Sequence, residues 1–320
     1  MSVNSKSSDK IDSTCKICNS RGKNPIFYVK EMMLGSREEF TYFLCNICNC
    51  LQLDNPPANL EKFYASSKYY SFQTKETKLN DILMKLSFYQ KGFLFRLFNH
   101  YLFLDYALFS IRKLNASRKS RILDVGAGNG DTILKLKKLG FENVSGIDPF
   151  IEKDLDEPVK VIKGNLSELN SNDCFDIIMF HHSFEHIPNP VETLLDAKKI
   201  LDQNGTILIR TPIVSHAFDR YGPHWFQIDA PRHFFVYSIA GLNSLLEKTG
   251  LYIENYYCDS TENQFFWSES YANDISMNEA KRGPLSTISR KIFSPYRRQA
   301  ILLNEQKVGD QAAFYIKISQ

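Results

Sequence analysis

The chain has 320 residues, which is enough for one large domain or two modest ones. Hydrophobic residues make up 43% of it and charged residues 23%, an ordinary balance for a soluble globular protein. The formal net charge of +3 neither requires nor excludes an anionic partner. Arguments about charged ligands therefore have to rest on local groups of residues rather than on the overall charge.

Two segments bear on export and membrane insertion, and neither predicts a secretory signal or a membrane-spanning helix. Residues 1–14 are polar and lack an apolar core, so we expect a disordered tail rather than a secretory signal. Phe93–Ile111 is the most apolar stretch, but Arg96, Asn99, His100 and Asp105 interrupt it. We expect a buried or interfacial helix there, with at most peripheral membrane contact. Two Cys-x-x-Cys pairs in a chain without an export signal favour a cytoplasmic protein.

Four of the seven cysteines form two Cys-x-x-Cys pairs, Cys15–Cys18 and Cys45–Cys48, separated by 26 residues. Two such pairs supply four thiolates, the preferred tetrahedral set of structural zinc, so we predict a Zn²⁺ module over residues 15–55. A dithiol redox pair and four unrelated thiols are the alternatives. Cys50 can replace Cys48 as a ligand, although we interpret it as a bystander.

Residues 56–117 are interpreted as a helical connector or lid. Asn55–Pro57 interrupts the chain, and Leu79, Ile82, Leu83 and Leu86 then recur at helical spacing. Asn115–Ser120 is polar and resembles a linker.

From residue 118 to residue 320, short apolar runs alternate with amphipathic stretches. This alternation predicts an α/β domain with a mostly parallel, Rossmann-like sheet. The predicted strands are Arg121–Val125, Val144–Ile147, Val159–Ile162, Phe175–Phe180, Thr206–Arg210, Leu251–Cys258 and Ala312–Ile318. Helical patterns cover Asp131–Leu139 and Pro190–Leu201.

A glycine-rich turn, Gly126–Gly130, follows the first of these strands and precedes a helix. Such a turn lets the backbone approach a ligand, and the helix N-terminus presents free N–H groups. A dinucleotide site requires a third glycine at position 131, which is Asp131. Asp148 ends the second strand, 18 positions beyond Gly130, where a carboxylate can accept hydrogen bonds from ribose hydroxyls.

The run from Asp124 to Gly130 resembles the first motif of class I S-adenosylmethionine (SAM) methyltransferases. Phe175–Ile178 followed by His182–Pro190 resembles the fourth strand of that family and its HxxEHxxxP continuation. The resemblance implies a seven-stranded sheet whose last strand is antiparallel. It also implies cofactor contacts from Asp124, Gly126, Ala127, Gly128, Gly130, Asp148, Pro149, Asn165, Leu166 and His181. Asn165 departs from the family, which often has Asp there.

A segment at about 211–237 is dense in His, aromatic and charged residues and follows the fifth strand. We expect an acceptor-binding insertion there, and a second one at about 259–308. The cysteine pairs, Phe63–Ser71, Ser183–His186 and the W…DAPRH run from Trp225 to His233 together resemble a bacterial methyltransferase group. That group is associated with surface polysaccharide and sugar biosynthesis. The resemblance implies a small-molecule or glycan acceptor, a nucleotide-sugar or a lipid-linked saccharide.

Methyl transfer to a hydroxyl requires a base, and histidine suits that role near neutral pH. The hypothesis is that His182 or His233 is the catalytic base and that His224 assists in orienting the acceptor. Substrate contacts are expected from Glu185, Tyr221, Trp225, Asp229 and Arg232. The structural alternatives are histidines bonded to loop backbone and an Asp229–Arg232 ion pair.

Two competing functions stay open. Some RNA methyltransferases carry an N-terminal zinc module, but the zinc segment here is not strongly basic, so nucleic acid is not the expected partner. The second competing function is a non-catalytic zinc-ribbon scaffold. The intact glycine turn and Asp148 disfavour it. Residues 281–298 contain six basic residues and no acidic one, which indicates a solvated face or a phosphate contact.

Overall fold

The computed structural model describes residues 9–64, 78–89, 105–170, 173–280 and 295–319. The N-terminal part of this set forms a five-stranded sheet in the order β1-β2-β3-β4-β10, and its neighbouring strands pair in antiparallel fashion. Its strands are β1 (Lys10–Thr14), β2 (Arg21–Lys30), β3 (Glu39–Leu44), β4 (Leu51–Leu53) and β10 (Phe235–Val236). The last strand comes from the predicted acceptor insertion, so the cysteine module is completed by a distant segment.

The prediction of a disordered tail is wrong for Lys10–Thr14, which form β1. This strand pairs with Arg21–Pro25 through its backbone, and its side chains are exposed or half-buried. An edge strand held by main-chain hydrogen bonds needs no apolar alternation, so the pattern-based prediction missed it. Residues 1–8 lie outside the described residues.

The second sheet has seven strands in the order β11-β12-β9-β8-β5-β6-β7. Its strands are β5 (Arg121–Val125), β6 (Asn143–Asp148), β7 (Val161–Lys163), β8 (Phe175–His181), β9 (Leu201–Pro212), β11 (Leu251–Cys258) and β12 (Gln311–Ile318). Pairs among β5, β6, β7, β8 and β9 are parallel, whereas β12 runs antiparallel to both of its neighbours. The predicted mostly parallel sheet with an antiparallel last strand is confirmed.

The helices flank and link the two sheets. They are α1 (Lys78–Tyr89), α2 (Tyr106–Lys113), α3 (Asp131–Lys138), α4 (Pro190–Lys199), α5 (His216–Tyr221), α6 (Ile239–Glu247), α7 (Asn263–Ala272), α8 (Met277–Ala280) and α9 (Pro295–Glu305). Single turns of 3₁₀ helix cover Leu60–Phe63, Leu166–Glu168, Phe184–His186, Gly222–His224 and Phe226–Ile228. Among the described helices, none is long and apolar enough to cross a membrane.

Apolar faces bury themselves in three clusters, and two of these include residues of the N-terminal sheet. One face of the large sheet packs against α4, α6 and the cysteine pairs, and the other face packs against α2 and α3. The third cluster joins β2–β4 to α5 and α7 through Phe27, Tyr42, Phe218, Trp225 and Phe265. The cysteine module is therefore part of one continuous buried structure with the acceptor insertion.

Some predictions fall on residues that the structure does not describe. In the Phe63–Ser71 motif only Phe63 and Tyr64 are described, and the apolar stretch Phe93–Ile111 is described from residue 105 onward. The side chains of Leu79 and Leu83 lie outside the described set, as do residues 281–294 of the basic segment.

Candidate active site

One cavity of about 1260 Å³ opens at the carboxyl ends of β5, β6, β8 and β9. This is where ligands of open parallel sheets bind, because loops diverge there on either side of the central strands. We divide it into two named parts. The cofactor half is lined by Gly126, Gly128, Asp148, Pro149, Phe150, Asn165 and Leu166, and the acceptor half by Tyr106, His182, Arg210, Gln227, Asp229, His233, Gln264, Asp310 and Gln311.

The glycine turn lies on the wall of the cofactor half. Gly126 and Gly128 have φ values of 77° and 53°, which side chains other than glycine rarely adopt. A Cβ atom on Gly126 would lie 2.5 Å from the Cβ of Ser183, whereas one on Gly128 would meet no atom within 4 Å. Gly128 therefore leaves open space in the cavity, which is what a ligand lying against the backbone requires.

Asp148 holds this turn in place. One carboxylate oxygen accepts from the Gly128 N–H at 2.8 Å, and the other accepts from the Phe150 N–H at 2.7 Å. Asp148 also lines the cavity, so its carboxylate lies beside the place that the resemblance reserves for ribose. Asp124 is buried behind it in β5, where burial and the charge of Asp148 raise its pKa to about 8.

The remaining predicted cofactor residues have different positions. Pro149, Asn165, Leu166 and His181 line the cavity, whereas Ala127, Gly130 and Asp124 do not. Ala127 packs beside Gly146, and Gly130 is the N-cap of α3, packed against Val159. His181 is enclosed at the end of β8, and neither of its ring nitrogens has a hydrogen-bond partner among the described residues.

His182 follows directly and has a φ of 51°, an unusual conformation for a residue other than glycine. Its Nδ1 lies 3.2 Å from Oε1 of the buried Glu185, and its Nε2 lies 2.5 Å from Nη1 of Arg210. Arginine only donates, so Nε2 must accept and Nδ1 must carry the proton. The one lone pair of His182 is thus occupied by Arg210, which Asp259 holds at 2.6 Å.

His233 differs, because its Nε2 has no hydrogen-bond partner in the part of the chain that the structure describes. Its Nδ1 donates to the Gln227 carbonyl at 2.9 Å, which leaves Nε2 unprotonated, 3.9 Å from Glu185 Oε1 and 3.8 Å from Asp229 Oδ2. Burial and the nearby His186 lower the pKa of His233 to about 4, so its imidazole is neutral at pH 7. Burial acts to raise the pKa of Glu185, but the hydrogen bond from His182 and the nearby imidazoles of His182, His233 and His186 together lower it to about 2.

Arg232 and Asp229 form the structural ion pair that the sequence left as an alternative. The Arg232 side chain has no exposed surface; its Nε donates to Asp229 at 2.9 Å, and its Nη1 donates to the Phe63 carbonyl at 3.2 Å. Glu31 from the N-terminal sheet lies 3.7 Å away. Asp229 lines the cavity but Arg232 does not, so the predicted acceptor contact by Arg232 is replaced by a supporting role.

Four further predicted residues do not line the cavity. Trp225 is buried in the core and its indole N–H donates to Asp310 at 3.0 Å, while the Tyr221 hydroxyl donates to Glu269 at 3.1 Å. Glu185 lies behind His182 and accepts from Thr211 at 3.0 Å. His224 is exposed. It lies near Lys30 and Asp274 because the turn Gly222–His224 contacts β2. Large or charged side chains in this segment serve packing, which residue type alone cannot distinguish from substrate contact.

Several polar residues of the acceptor half were not predicted from the sequence. Arg210 ends the apolar run of β9, where a charged residue at the carboxyl end of a strand was the available signal. Gln264 is 1% exposed, and its side-chain oxygen has no hydrogen-bond partner among the described residues. Burial raises the pKa of Asp310 to about 6. Gln264, Asp310 and Gln311 had no motif to mark them.

The four paired cysteines are brought together away from this cavity. The Sγ atoms of Cys15 and Cys48, and those of Cys18 and Cys45, are 3.6 Å apart, and all four lie within 4.8 Å of one another. Zn–S bonds of about 2.3 Å in a tetrahedron place sulfur atoms about 3.8 Å apart, so the group can hold this ion. N–H groups of Cys18, Cys48 and Gln52 point at these sulfurs.

Cys50 is not part of this group. Its Sγ accepts from the Ser238 N–H at 3.4 Å and packs against Gly241 at the start of α6. The other two cysteines, Cys174 and Cys258, are free and lie beside or within strands, as expected.

Three features are typical of an α/β domain that binds a nucleotide cofactor. They are the order of the seven strands, the glycine turn after β5 and the carboxylate of Asp148 at the end of β6. Residues 98–256, just under half of the chain, match the family model described as "Methyltransferase domain". This part of the chain is therefore similar to methyltransferase domains.

Similar proteins share parts of this chain. A tRNA U34 carboxymethyltransferase of Trichlorobacter lovleyi is 30% identical over 105 residues, covering 29% of this chain and 32% of that protein. A ubiquinone biosynthesis O-methyltransferase of Rickettsia akari is 30% identical over 102 residues, covering 29% and 40%. The chain thus spans about a third of the length of these curated relatives. The solved YcgJ protein of Bacillus subtilis has 17% identity, a TM-score of 0.45 and coverage of 67% and 98%.

Proposed function

We propose that the protein is a SAM-dependent methyltransferase whose acceptor is the neutral, hydroxyl-rich part of a sugar or glycan precursor. The observation that carries this proposal is the composition of the cavity wall. Its described lining contains seven carboxylates, Glu61, Asp148, Glu152, Glu192, Asp196, Asp229 and Asp310, against two basic residues, Lys163 and Arg210. An acidic cavity suits a cationic sulfonium cofactor and opposes a polyanion.

The cofactor half supports SAM as the ligand. Gly128 leaves space for a ligand against the backbone, and Asp148 offers a carboxylate at the end of β6. By the resemblance, Asp124 lies near the ammonium group of the methionine part, and Asn165 and Leu166 lie near adenine. SAM, when bound, supplies an electrophilic methyl group on a positively charged sulfur.

The acceptor half supports a ligand with many hydrogen-bonding groups. Gln264, Gln311, Gln227 and Asp310 all reach its wall, and the oxygen of Gln264 awaits a donor. A flat apolar acceptor would leave the buried oxygen of Gln264 unpaired, which costs about 1 to 3 kcal/mol. Sugar hydroxyls both donate and accept, so they can satisfy the amides and the carboxylate together.

We place proton removal at the His233 end of the cavity. In the reaction the acceptor O–H bond breaks, its oxygen forms a bond to the methyl carbon, and the C–S bond of SAM breaks. S-adenosylhomocysteine leaves, and the proton passes through this end of the cavity to solvent. His233 has an unoccupied Nε2 lone pair there, whereas the lone pair of His182 is held by Arg210. His182 therefore serves to align Arg210 and Glu185.

We also propose that Cys15, Cys18, Cys45 and Cys48 hold one structural Zn²⁺, because four thiolates leave no open coordination position. Its role is to fix the N-terminal sheet, since a segment of about 40 residues has too little core to fold alone.

RNA is the second candidate, because the curated relatives differ in acceptor and one of them is a tRNA U34 carboxymethyltransferase. The acidic cavity wall opposes it. Whether the acceptor is a free nucleotide-sugar or a lipid-linked saccharide is a question for the assay, since any phosphate would stay outside the cavity.

The test begins with calorimetry of SAM binding, because no binding would favour a non-catalytic scaffold. Purified protein is then incubated with isotopically labelled SAM and separate pools of nucleotide-sugars, lipid-linked saccharides and tRNA. We expect label in a saccharide pool and, by mass spectrometry, cellular glycans that lack one CH₂ when the gene is removed. Label in tRNA alone would overturn the sugar assignment.

A further inference from the structure

A cluster of three potential metal ligands lies at the cavity wall and is separate from the paired cysteines: His186 and His233 line the cavity, and the buried Glu185 lies behind His233. Glu185, His186 and His233 each offer one ligand atom, and these atoms all lie within 4.8 Å of one another. His233 Nε2 is 3.9 Å from Glu185 Oε1 and 3.8 Å from Asp229 Oδ2. Ligand atoms around an ion with bonds of about 2.1 Å are about 3 to 4 Å apart, so small side-chain adjustments suffice.

Both histidines are held in the form that binds metals. His233 Nδ1 and His186 Nδ1 each lie 2.9 Å from a backbone carbonyl, of Gln227 and Arg232 respectively. A carbonyl only accepts, so each Nδ1 carries the hydrogen and each Nε2 keeps its lone pair. The Tyr64 hydroxyl, 3.0 Å from His186 Nδ1, can donate to the same Arg232 carbonyl at 3.4 Å and is consistent with this form. Metal-binding histidines usually have such a carbonyl partner.

The surroundings of the cluster carry excess negative charge. Glu185 and Glu31 have no exposed side-chain surface, and Asp229 is 19% exposed. Arg232 pairs with Glu31 and Asp229, whereas no arginine or lysine of the described residues pairs with Glu185. Arg210, the next cation, is matched by the buried Asp259. Three carboxylates against one guanidinium leave two negative charges in a poorly solvated place. A divalent cation would neutralise them, and uncompensated buried charges are costly.

We propose that Glu185, His186 and His233 bind a divalent first-row transition-metal ion, of the Mn²⁺, Fe²⁺ or Zn²⁺ type, at the wall of the acceptor half beside His233. Two imidazoles and one carboxylate form a ligand set that leaves coordination positions for the acceptor. The inference rests on the proposed function for its purpose: the ion would polarise an acceptor hydroxyl next to the methyl donor. His233 would then act as a ligand, and the acceptor would lose its proton to solvent.

The test uses the full-length protein with zinc retained on its cysteines, titrated with Mn²⁺ alone and followed by calorimetry and electron paramagnetic resonance. Mn²⁺ prefers nitrogen and oxygen ligands to thiolates, so it discriminates against the cysteine site. We expect one bound Mn²⁺ per chain, and at least a tenfold weaker affinity in Glu185→Gln and His186→Gln. His224→Gln, an exposed histidine away from the cavity, is the matched control and should bind as the unsubstituted protein does.

Thermal melts decide which variants are informative, and the half-buried His186 provides a variant that should fold if Glu185→Gln does not. Absence of Mn²⁺ binding, or equal affinity in folded variants, would overturn the metal site. The titration contains neither SAM nor acceptor, so its outcome is independent of the proposed function. Metal binding without any methyl transfer would contradict only the proposed function. Methyl transfer without metal binding would contradict only the metal site.

Discussion

The two halves of the cavity differ in how the chain builds them. The cofactor half comes from three consecutive strand-to-loop junctions, at Gly126, Asp148 and Asn165, so that local sequence determines its geometry. The acceptor half combines residues that follow β8 and β9 with α7 and the segment before β12, and the N-terminal sheet supports it through Glu31 and β10. The first half depends on local backbone conformation, and the second on long-range contacts. Single substitutions should therefore affect one half of the cavity without affecting the other.

The largest separation is expected from Cys45→Ser, which removes a ligand of the proposed zinc. β4 follows the second cysteine pair and binds β10, which begins two residues after His233. Loss of the ion should disorder this sheet and lower methyl transfer at least about a hundredfold, because structural zinc supplies folding free energy. SAM affinity, measured by calorimetry, should change by less than about threefold, since hydrogen bonds between Asp148 and the backbone hold the glycine turn independently of the cysteine pairs.

Cys174→Ser is the control, because this half-buried thiol lies outside the cysteine group. Equal losses of SAM binding and turnover in Cys45→Ser would mean that the two halves fold as one unit, which contradicts the comparison.

Arg232→Met tests the main long-range link of the acceptor half. Removing this guanidinium leaves Asp229 and Glu31 without their buried partner, which should lower the free energy of unfolding by about 3 to 5 kcal/mol. Chemical denaturation measures the change. Arg220→Met is the matched variant, because the Arg220 pair with Glu269 is partly exposed and should cost at most about 1 kcal/mol. Similar costs for both arginines would refute the supporting role of Arg232.

Asp148→Ala tests the cofactor half alone. It removes two hydrogen bonds to the backbone of the glycine turn and the expected ribose contact, so SAM should bind about 10 to 100 times more weakly. Calorimetry gives the affinity, and exposed Glu142→Ala should leave it unchanged. Mn²⁺ affinity in the acceptor half should also be unaffected. A binding constant for SAM that Asp148→Ala does not alter would remove this site from the proposal.

The cofactor half could be predicted from the sequence, whereas most of the acceptor half could not. The strand Arg121–Val125, the glycine turn and Asp148 were predicted at their observed positions, because a strand, a turn and a carboxylate at fixed spacing are local properties. The Asp229–Arg232 ion pair was weighed only as an alternative, because its burial depends on distant residues such as Glu31, and the role of Trp225 was not predicted because its partner Asp310 lies far away in the sequence. β1 escaped prediction because backbone pairing, rather than apolar alternation, holds it.

Asp124→Asn should separate stability from cofactor binding by pH. The pKa of Asp124 is raised from 3.8 to about 8 by burial and by Asp148, so between those values the folded protein retains a proton that the unfolded chain has released. Its contribution to stability is therefore present at low pH and is lost as pH rises toward about 8. We expect the substitution to raise the melting temperature by about 3 °C at pH 8 and by less at pH 5.

Differential scanning calorimetry of both proteins across this pH range provides the measurement. SAM should bind the Asp124→Asn variant more weakly at pH 8, where the ionised carboxylate of the unsubstituted protein would attract its ammonium group. A pH-independent difference in melting temperature would show that Asp124 does not change its ionisation on folding.

The smallest effect is expected from His224→Ala, and it bears most directly on the acceptor half. The sequence grouped this residue with His182 and His233, but His224 is exposed outside the cavity near Lys30 and Asp274. Its loss should change turnover by less than about twofold, as for most surface substitutions. His233→Ala should lower turnover at least about a hundredfold, whether the imidazole acts as base or as metal ligand. Comparable losses in both variants would show that the cavity wall extends to the turn Gly222–His224 when the acceptor is bound.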